Sequence, residues 1–310
     1  MMDAPSPTRD PAGQALDVLI ERFHAGERLR VWSFLITVFG DAIVPRGGMV
    51  GLAALQEITD RIGISPGALR AALSRLAKDG WVERARHGRR SYYRLTPESA
   101  ATFADAARRF YAPGPPAWTG GWSVAIAPDE SGPDRERRET ALAGAGFLKL
   151  STGVFLRPQT EPGTDKETDT GNDPQAGGSD LFTLRTDTAE PPGWVRETLS
   201  DAEVGAAYAA LCETLAPLAG SLGNEGSLPP LDAMVARALL IHDWRRIVLR
   251  DKDLPEKIRP DGWPGDATRA LVRALYASLL EPSERWLDAC DGRPDGPLPP
   301  AGPELRARFR

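Results

Sequence analysis

Between Ser65 and Leu95 the apolar pattern of the chain changes period, and that change restricts the fold more than any other feature. Leu69, Ala72, Leu73 and Leu76 fall at i, i+3, i+4 and i+7, a spacing that stacks them on one face of an α-helix. Trp81 to Leu95 then reads as a β-hairpin, with WVERAR and SYYRL as strands and HGRR as the turn. Ser65 is a good N-cap for the helix, and Pro66 takes its first position, where a missing N–H does no harm. Asp79-Gly80 stops it. Upstream, Leu52, Leu55 and Ile58 predict a helix over about Leu52 to Arg61, and Gly63 to Ser65 make the turn between the two. An earlier helical block, Leu29 to Ile43, carries Val31, Phe34, Leu35, Val38 and Phe39 and is broken by PRGG, Pro45 to Gly48.

Helix, turn, helix and hairpin in this order predict a winged helix-turn-helix over residues 29–112, and its charge suggests a partner. The chain carries −5 overall. Yet Arg61, Arg70, Arg75, Lys78, Arg84, Arg86, Arg89, Arg90 and Arg94 are opposed only by Asp79 and Glu83 within that stretch. A solvated surface normally mixes both signs, so segregation on this scale marks a face for a polyanion. On the helix, Gly67, Ala71, Ser74 and Lys78 lie opposite the buried stripe, flanked by Arg70 and Arg75. Small residues let the axis approach a major groove; Ser74 can bond base edges, Ala71 can touch a thymine methyl, and the arginines can reach guanine or phosphate. Pro66 and Gly67 at the helix start leave its free N–H groups open to a phosphate, with Ser65 before them among the DNA-contacting candidates. In the hairpin Arg84, Arg86, His87, Arg89 and Arg90 surround the tip and can follow a phosphate run or enter a minor groove. Ser91 and Tyr93 complete the set of DNA-contacting candidates, although Trp81, Tyr92 and Tyr93 are the kind of residue that packs a wing onto its helices. Dimerisation would add specificity by presenting two half-sites.

The remainder reads as α+β. Residues 1–28 are expected to be disordered or extended. Thr96-Pro97-Glu98 opens a helix to about Tyr111, and Pro113 to Pro116 is a linker. Over 118–193, strand Trp122 to Ala127, helix Pro133 to Ala145, strand signals from Gly146 to Leu156 and strand Leu181 to Arg185 suggest a ferredoxin-like domain. A polar Gly- and Asp-rich insertion, 160–180, interrupts it. Residues 194–292 predict a helical domain with helices at Asp201–Leu218, Pro230–Leu249, Asp266–Leu280 and Ser283–Cys290, followed by a Pro/Gly-rich tail, 293–310.

Apolar residues make up 41% and charged residues 26%, the balance of a soluble globular protein. No apolar run approaches the ~18 residues of a membrane span. Met1 to Gly13 lacks the basic-then-apolar pattern of a signal peptide. Cys212 and Cys290, far apart, suit a reducing cytoplasm. His24, His87 and His242 are scattered, no zinc spacing occurs, and no P-loop, GxSxG, HExxH or GxGxxG signature is present. The chain is therefore expected not to be an enzyme and to hold no cofactor or metal.

Three stretches carry a family resemblance: FLITVFGDAIVPRGG (Phe34–Gly48), GWVERARHGRRSYYRLTPES (Gly80–Ser99) and WTGGWSVAIAP (Trp118–Pro128). With the IHDWRR…LP…WPG pattern inside Leu239–Asp288, they resemble the PaaX-like regulators of phenylacetate degradation, in the same order over most of residues 30–290. The resemblance implies a winged-helix head, a central Cas2-like ferredoxin domain, a C-terminal helical domain for effector binding and dimerisation, and a homodimer. It also implies repression of aromatic-acid catabolic genes at double-stranded operator DNA, relieved by an aryl-acetyl-CoA thioester such as phenylacetyl-CoA. Thr160–Asp180 departs from the family pattern, as does Lys252, where the family often has Pro; the second bears on the effector.

A CoA thioester asks for cations at its phosphates and an apolar pocket at its acyl end. Leu239–Trp263 offers His242, Trp244, Arg245, Arg246, Arg250, Lys252, Lys257 and Trp263. His242 shares a helical face with Arg245 and Arg246. A structural role, with His242 and Arg245 in an ion-pair network and Trp244 and Trp263 in the core, competes with this reading on at least equal terms. Two rival readings keep their place: a regulator of other genes with a different acyl-CoA effector, and a Cas2-like metal-dependent nuclease using Asp129. The latter requires carboxylates converging on a cation, whereas Asp129 has only Pro128 and Glu130 beside it.

Overall fold

A computed structural model describes residues 10–25, 31–161, 180–186, 190–223 and 226–310. Among the described residues the fold is α+β, with helices, a three-stranded sheet and a four-stranded sheet. The chain divides into two compact units. Unit one comprises Met1–Pro113, Ala206–Arg250 and Pro264–Arg310; unit two comprises Gly114–Gly205 and Asp251–Trp263. No helix among the described residues is long and apolar enough to cross a membrane.

Unit one is organised by α9 (Pro230–Val248), which is buried without a break from Ala233 to His242. A helix buried around its whole circumference must have neighbours on every side. Around it pack α1 (Pro11–Ala25), α2 (Val31–Val38), α3 (Leu52–Arg61), α5 (Pro97–Phe110) and α10 (Pro264–Ala289). This differs from the expected separation of a head, 29–112, from a helical domain, 194–292. Burial of α9 around its circumference draws both into one core, while residues 194–205 and 251–263 belong to unit two.

The N-terminal expectation also changes. Residues 11–25 are neither disordered nor extended: α1 buries Ala12, Ala15, Leu16, Leu19 and Phe23, a helical stripe. The remainder of 1–28, apart from Asp10, lies outside the described residues, as does most of the expected insertion 160–180. After α2 the backbone widens into a π-helical turn, Phe39–Ile43, then tightens into a 3₁₀ turn, Val44–Arg46. Gly40 lies there against Phe103; a Cβ on it would sit 2.3 Å from the ring.

The central elements follow their local chemistry. α4 (Pro66–Lys78) begins at Ser65, whose side chain accepts from the Ala68 N–H at 3.2 Å. β2 (Val82–His87) and β3 (Arg90–Leu95) pair antiparallel around Gly88, whose φ of 58° supplies the positive dihedral a two-residue turn needs. β1 (Met49–Gly51) joins them in the order β1-β3-β2. Near the C-terminus, the two expected helices flanking Pro282 are one helix, α10. Ser283 Oγ donates to the Leu280 carbonyl at 2.8 Å and accepts from Arg237 at 3.1 Å. α8 (Ala202–Gly223) likewise continues through Pro217. The segment expected to be a tail is docked: Leu298, Leu305 and Phe309 are buried, Arg46 Nε donates to Pro299 O at 2.9 Å, and Phe309 N to Tyr111 O at 2.8 Å. It ends in the short helix α11 (Glu304–Ala307).

Unit two is an antiparallel sheet in the order β5-β6-β4-β7, from β4 (Trp118–Ile126), β5 (Leu148–Ser151), β6 (Val154–Thr160) and β7 (Phe182–Thr186). One face packs Trp122 against Val195 and Leu199 of α7 (Gly193–Leu199), with Leu254 and Ile258. The other packs Ala125 and Phe155 against Phe147 and Leu142 of α6 (Pro133–Gly144).

Candidate nucleic-acid interface

α4 buries Leu69, Ala72, Leu73 and Leu76 and exposes Ser65, Gly67, Arg70, Ala71, Ser74, Arg75 and Lys78. Arg70 and Lys78 form no ion pair among the described residues. Arg75 lies 3.5 Å from Asp79, and its guanidinium is held 5.8 Å from the Trp32 ring. Trp32, on α2, is a positioning residue that the sequence pattern did not single out.

Register sorts the hairpin. Arg84 pairs with Tyr93 and Arg86 with Ser91 on one ribbon face; His87 pairs with Arg90 on the other. Arg84, Arg86, His87, Arg89 and Arg90 are exposed. Arg86, His87 and Arg89 form no ion pair among the described residues. Arg84 donates to Ser91 Oγ at 2.8 Å, which occupies that hydroxyl, and Arg90 lies 3.1 Å from Asp291. The segment at Asp291 reaches the sheet because Gly51 has no side chain: a Cβ there would meet Asp291 O at 2.5 Å.

Two expectations need correction. Tyr93 is only 7% exposed, on the ribbon face that Val82 and Leu95 also bury, so it packs and does not face a ligand. Arg61, one of the nine cations, turns to Asp232 at 2.6 Å and Asp17 at 3.5 Å.

Behind this face lies a buried ionic cluster that the charge pattern did not reveal. Asp41, in the π-helical turn, is fully buried. Its Oδ1 accepts from the Tyr111 hydroxyl, from Tyr276 at 3.0 Å and from Arg308 at 2.7 Å; its Oδ2 accepts from Arg237 Nε at 2.7 Å. Arg237 also donates to Asp41 O at 3.0 Å and to Glu284 at 2.7 Å, and Arg46 bridges Glu284 and Asp288. Burial alone would raise the Asp41 pKa, but Arg237 and Arg308 outweigh it and hold the carboxyl below its ordinary value. Burial pushes the Tyr276 hydroxyl up to about 12. Asp41 and Arg46 thus owe their places in GDAIVPRGG to the core.

The effector candidates fall in different settings. His242 is 3% exposed between the Phe23 and Phe34 rings, with Nδ1 3.3 Å from Thr37 Oγ1. Burial, with Arg245 and Arg246, lowers its pKa to about 3. Arg245 donates to Thr37 Oγ1 at 2.8 Å and to the Ser33 carbonyl and hydroxyl; burial and Arg246 lower its pKa to about 10. Trp244 is fully buried, its indole N–H donating to Phe110 O at 2.7 Å. These three build the core of unit one. Arg246 and Arg250 face solvent. Lys252, Lys257 and Trp263 belong to unit two. Lys252 donates to Leu199 O at 2.9 Å, and Trp263 abuts Gly205, in a crevice with no room for a water-sized body. Asp129 is exposed, and its neighbour Glu130 is engaged by Arg138 at 2.7 Å, so the two do not converge. Among the described residues no group of three His, Cys, Asp or Glu side chains could hold a metal.

The helix-and-hairpin face is cation-rich on an otherwise acidic sequence, a charge pattern suited to a polyanion. Comparison with known proteins narrows the class. Residues 30–99 match the PaaX-like protein family and residues 200–289 its C-terminal domain. The chain belongs to the PaaX-like family. The transcriptional repressor PaaX of Escherichia coli is 27% identical over 282 residues, covering 89% of each chain. The structure of the uncharacterized protein Rv0674 from Mycobacterium tuberculosis shares the fold at TM-score 0.53 and 22% identity, over 81% of this chain and 96% of that one.

Proposed function

We propose that this chain is a cytoplasmic transcriptional repressor that binds double-stranded operator DNA as a homodimer and is released by an aryl-acetyl-CoA effector such as phenylacetyl-CoA. In this reading α3, α4 and the β2–β3 hairpin form a winged helix-turn-helix, α4 enters the major groove and the hairpin tip follows phosphate. The four-stranded sheet of unit two corresponds to the Cas2-like ferredoxin domain of the family. The observation that carries the reading is the exposed row Arg70, Ala71, Ser74 and Lys78 beside Arg86 and Arg89, where small side chains sit between cations unspent on internal ion pairs. The family relative, a repressor, supports the direction of control. Of the effector candidates in unit one, solvent-facing Arg246 and Arg250 are the pair open to an anion, whereas His242, Trp244 and Arg245 serve packing.

Fluorescence anisotropy against the DNA upstream of the chain's own gene tests this, with phenylacetyl-CoA, free CoA and phenylacetate compared. Specific binding lost only with the thioester is the expected result. Absence of specific binding at moderate salt would overturn the repressor reading; binding indifferent to the thioester would overturn the effector assignment.

A further inference from the structure

Unit two contains a cleft that none of the roles above uses. It opens on the sheet face shared with α6, has a volume of about 240 Å³ and is lined by Ser123, Phe147, Arg157, Thr183, Leu184 and Arg185. Strand register explains its shape. Ser123 on β4 pairs with Arg157 on β6 and with Arg185 on β7. One short residue therefore stands between two long cationic ones in a single row, with Arg backbones about 10 Å apart at ordinary strand spacing. Ser123 forms the floor, the two guanidinium side chains the walls. Arg157 is held in place: it donates to Ala145 O at 3.0 Å and lies 4.8 Å over the Phe147 ring. The pKa of Arg157 is lowered by burial and then by the facing charge of Arg185. Two like charges thus line one concavity, Arg157 held and Arg185 exposed, and its described lining contains no acidic residue.

We propose that this cleft binds the phosphate or diphosphate end of a small-molecule ligand, with Arg157 and Arg185 as paired clamps and Ser123 and Thr183 beside them. Guanidinium groups take phosphoryl oxygens in bidentate fashion, and a side chain already ordered loses little entropy on binding. The volume lies below the roughly 300–1,000 Å³ of pockets that enclose a whole drug-sized ligand, so the cleft takes the charged end and leaves the rest outside. A duplex backbone is a poorer fit, because it presents many phosphates along an open face and the cleft offers two cations in a hollow. Assigning this ligand to the acyl-CoA effector rests on the repressor reading; binding of a diphosphate does not.

The test is titration calorimetry of the full chain with sodium pyrophosphate and, separately, with coenzyme A at low ionic strength. Arg185 is exposed on an edge strand, so Arg185→Glu leaves the core intact. Saturable binding of both probes is expected, weakened at least about tenfold by Arg185→Glu, the loss of one charge-assisted clamp, and largely retained by Arg185→Lys. DNA affinity without ligand stays unchanged in Arg185→Glu. Failure of pyrophosphate to saturate, or equal binding by Arg185→Glu, overturns the site; weaker ligand-free DNA binding by that variant overturns the small-molecule assignment in favour of DNA phosphate. If wild-type chain binds DNA and releases it with the thioester while Arg185→Glu does the same, the assignment of the effector to the cleft falls and the repressor stands. If pyrophosphate binding behaves as expected but no operator is bound, the cleft stands without the effector assignment.

Discussion

Asp41→Asn is the substitution that most directly tests how unit one is held together. It keeps the shape of the side chain and removes the charge. In the native cluster the two carboxylate oxygens accept four hydrogen bonds, from Tyr111, Tyr276, Arg308 and Arg237. An amide presents an N–H₂ where one of those oxygens stood, so a donor faces a donor, and Arg237, wholly buried, keeps only Glu284 as counter-charge. Removing one partner of a buried ionic cluster costs about 3–5 kcal/mol. For a unit of this size each kcal/mol is about 2–4 °C, so the melting temperature should fall by about 6–20 °C. Calorimetric or circular-dichroism melting of the full chain at pH 7 measures it. The pH dependence adds a second readout. The folded pKa of Asp41 lies below its unfolded value, so its contribution is present above the ordinary carboxylate range and lost as pH falls through the folded pKa. Asp41→Asn should therefore close on the wild type under acid conditions. A loss below about 3 °C at pH 7, or a difference that does not shrink with acid, would refute the cluster as a source of stability.

The other predictions concern the interface and the core. Arg89→Ala should weaken binding to all DNA and lower the salt slope by about one, whereas Ser74→Ala should change sequence preference more than affinity; anisotropy over a salt series with several operator variants separates the two. Tyr93→Phe should leave DNA affinity unaltered, while Tyr93→Ala should cost about 3–5 kcal/mol of stability in denaturant melts, as for other large core aromatics; a selective affinity loss in Tyr93→Phe would return Tyr93 to the contact set. His242 is neutral in the folded chain down to about pH 3, so it should show no imidazole titration by NMR between pH 5 and 8. Because its folded pKa is depressed, its contribution is complete above the unfolded value and declines as pH falls toward about 3, a slope that His242→Gln should remove.

What sequence reasoning could reach was set by the range of the interactions involved. α4 and the hairpin were legible because their signals are local: a cap at Ser65, a stripe from Leu69 to Leu76, and Gly88 at the tip. The exposed face of α4 followed from the same stripe. α1 was missed because its Pro- and Asp-containing start resembles the segment before it, although Ala12, Ala15, Leu16, Leu19 and Phe23 do keep helical spacing. Tyr93 could not be assigned to a face without knowing which side of the ribbon the helices cover. The role of Asp41 was beyond reach, since its partners lie 70, 196, 235 and 267 residues away. The Arg157–Ser123–Arg185 row likewise exists only once register is fixed across three strands.

The docking of Arg308 and Phe309 bears on the timing of synthesis. A ribosome makes Asp41 long before Arg308, and until both exist the cluster between them has an acid without one of its bases. α2 and α3 must also wait for α9 to cover them. Domains generally fold as units during translation, N-terminal first; here the unit that bears the basic face closes only after residues 264–310 have been made. A polypeptide cut short by a premature stop therefore carries every residue of α4 and the hairpin without the finished core that presents them.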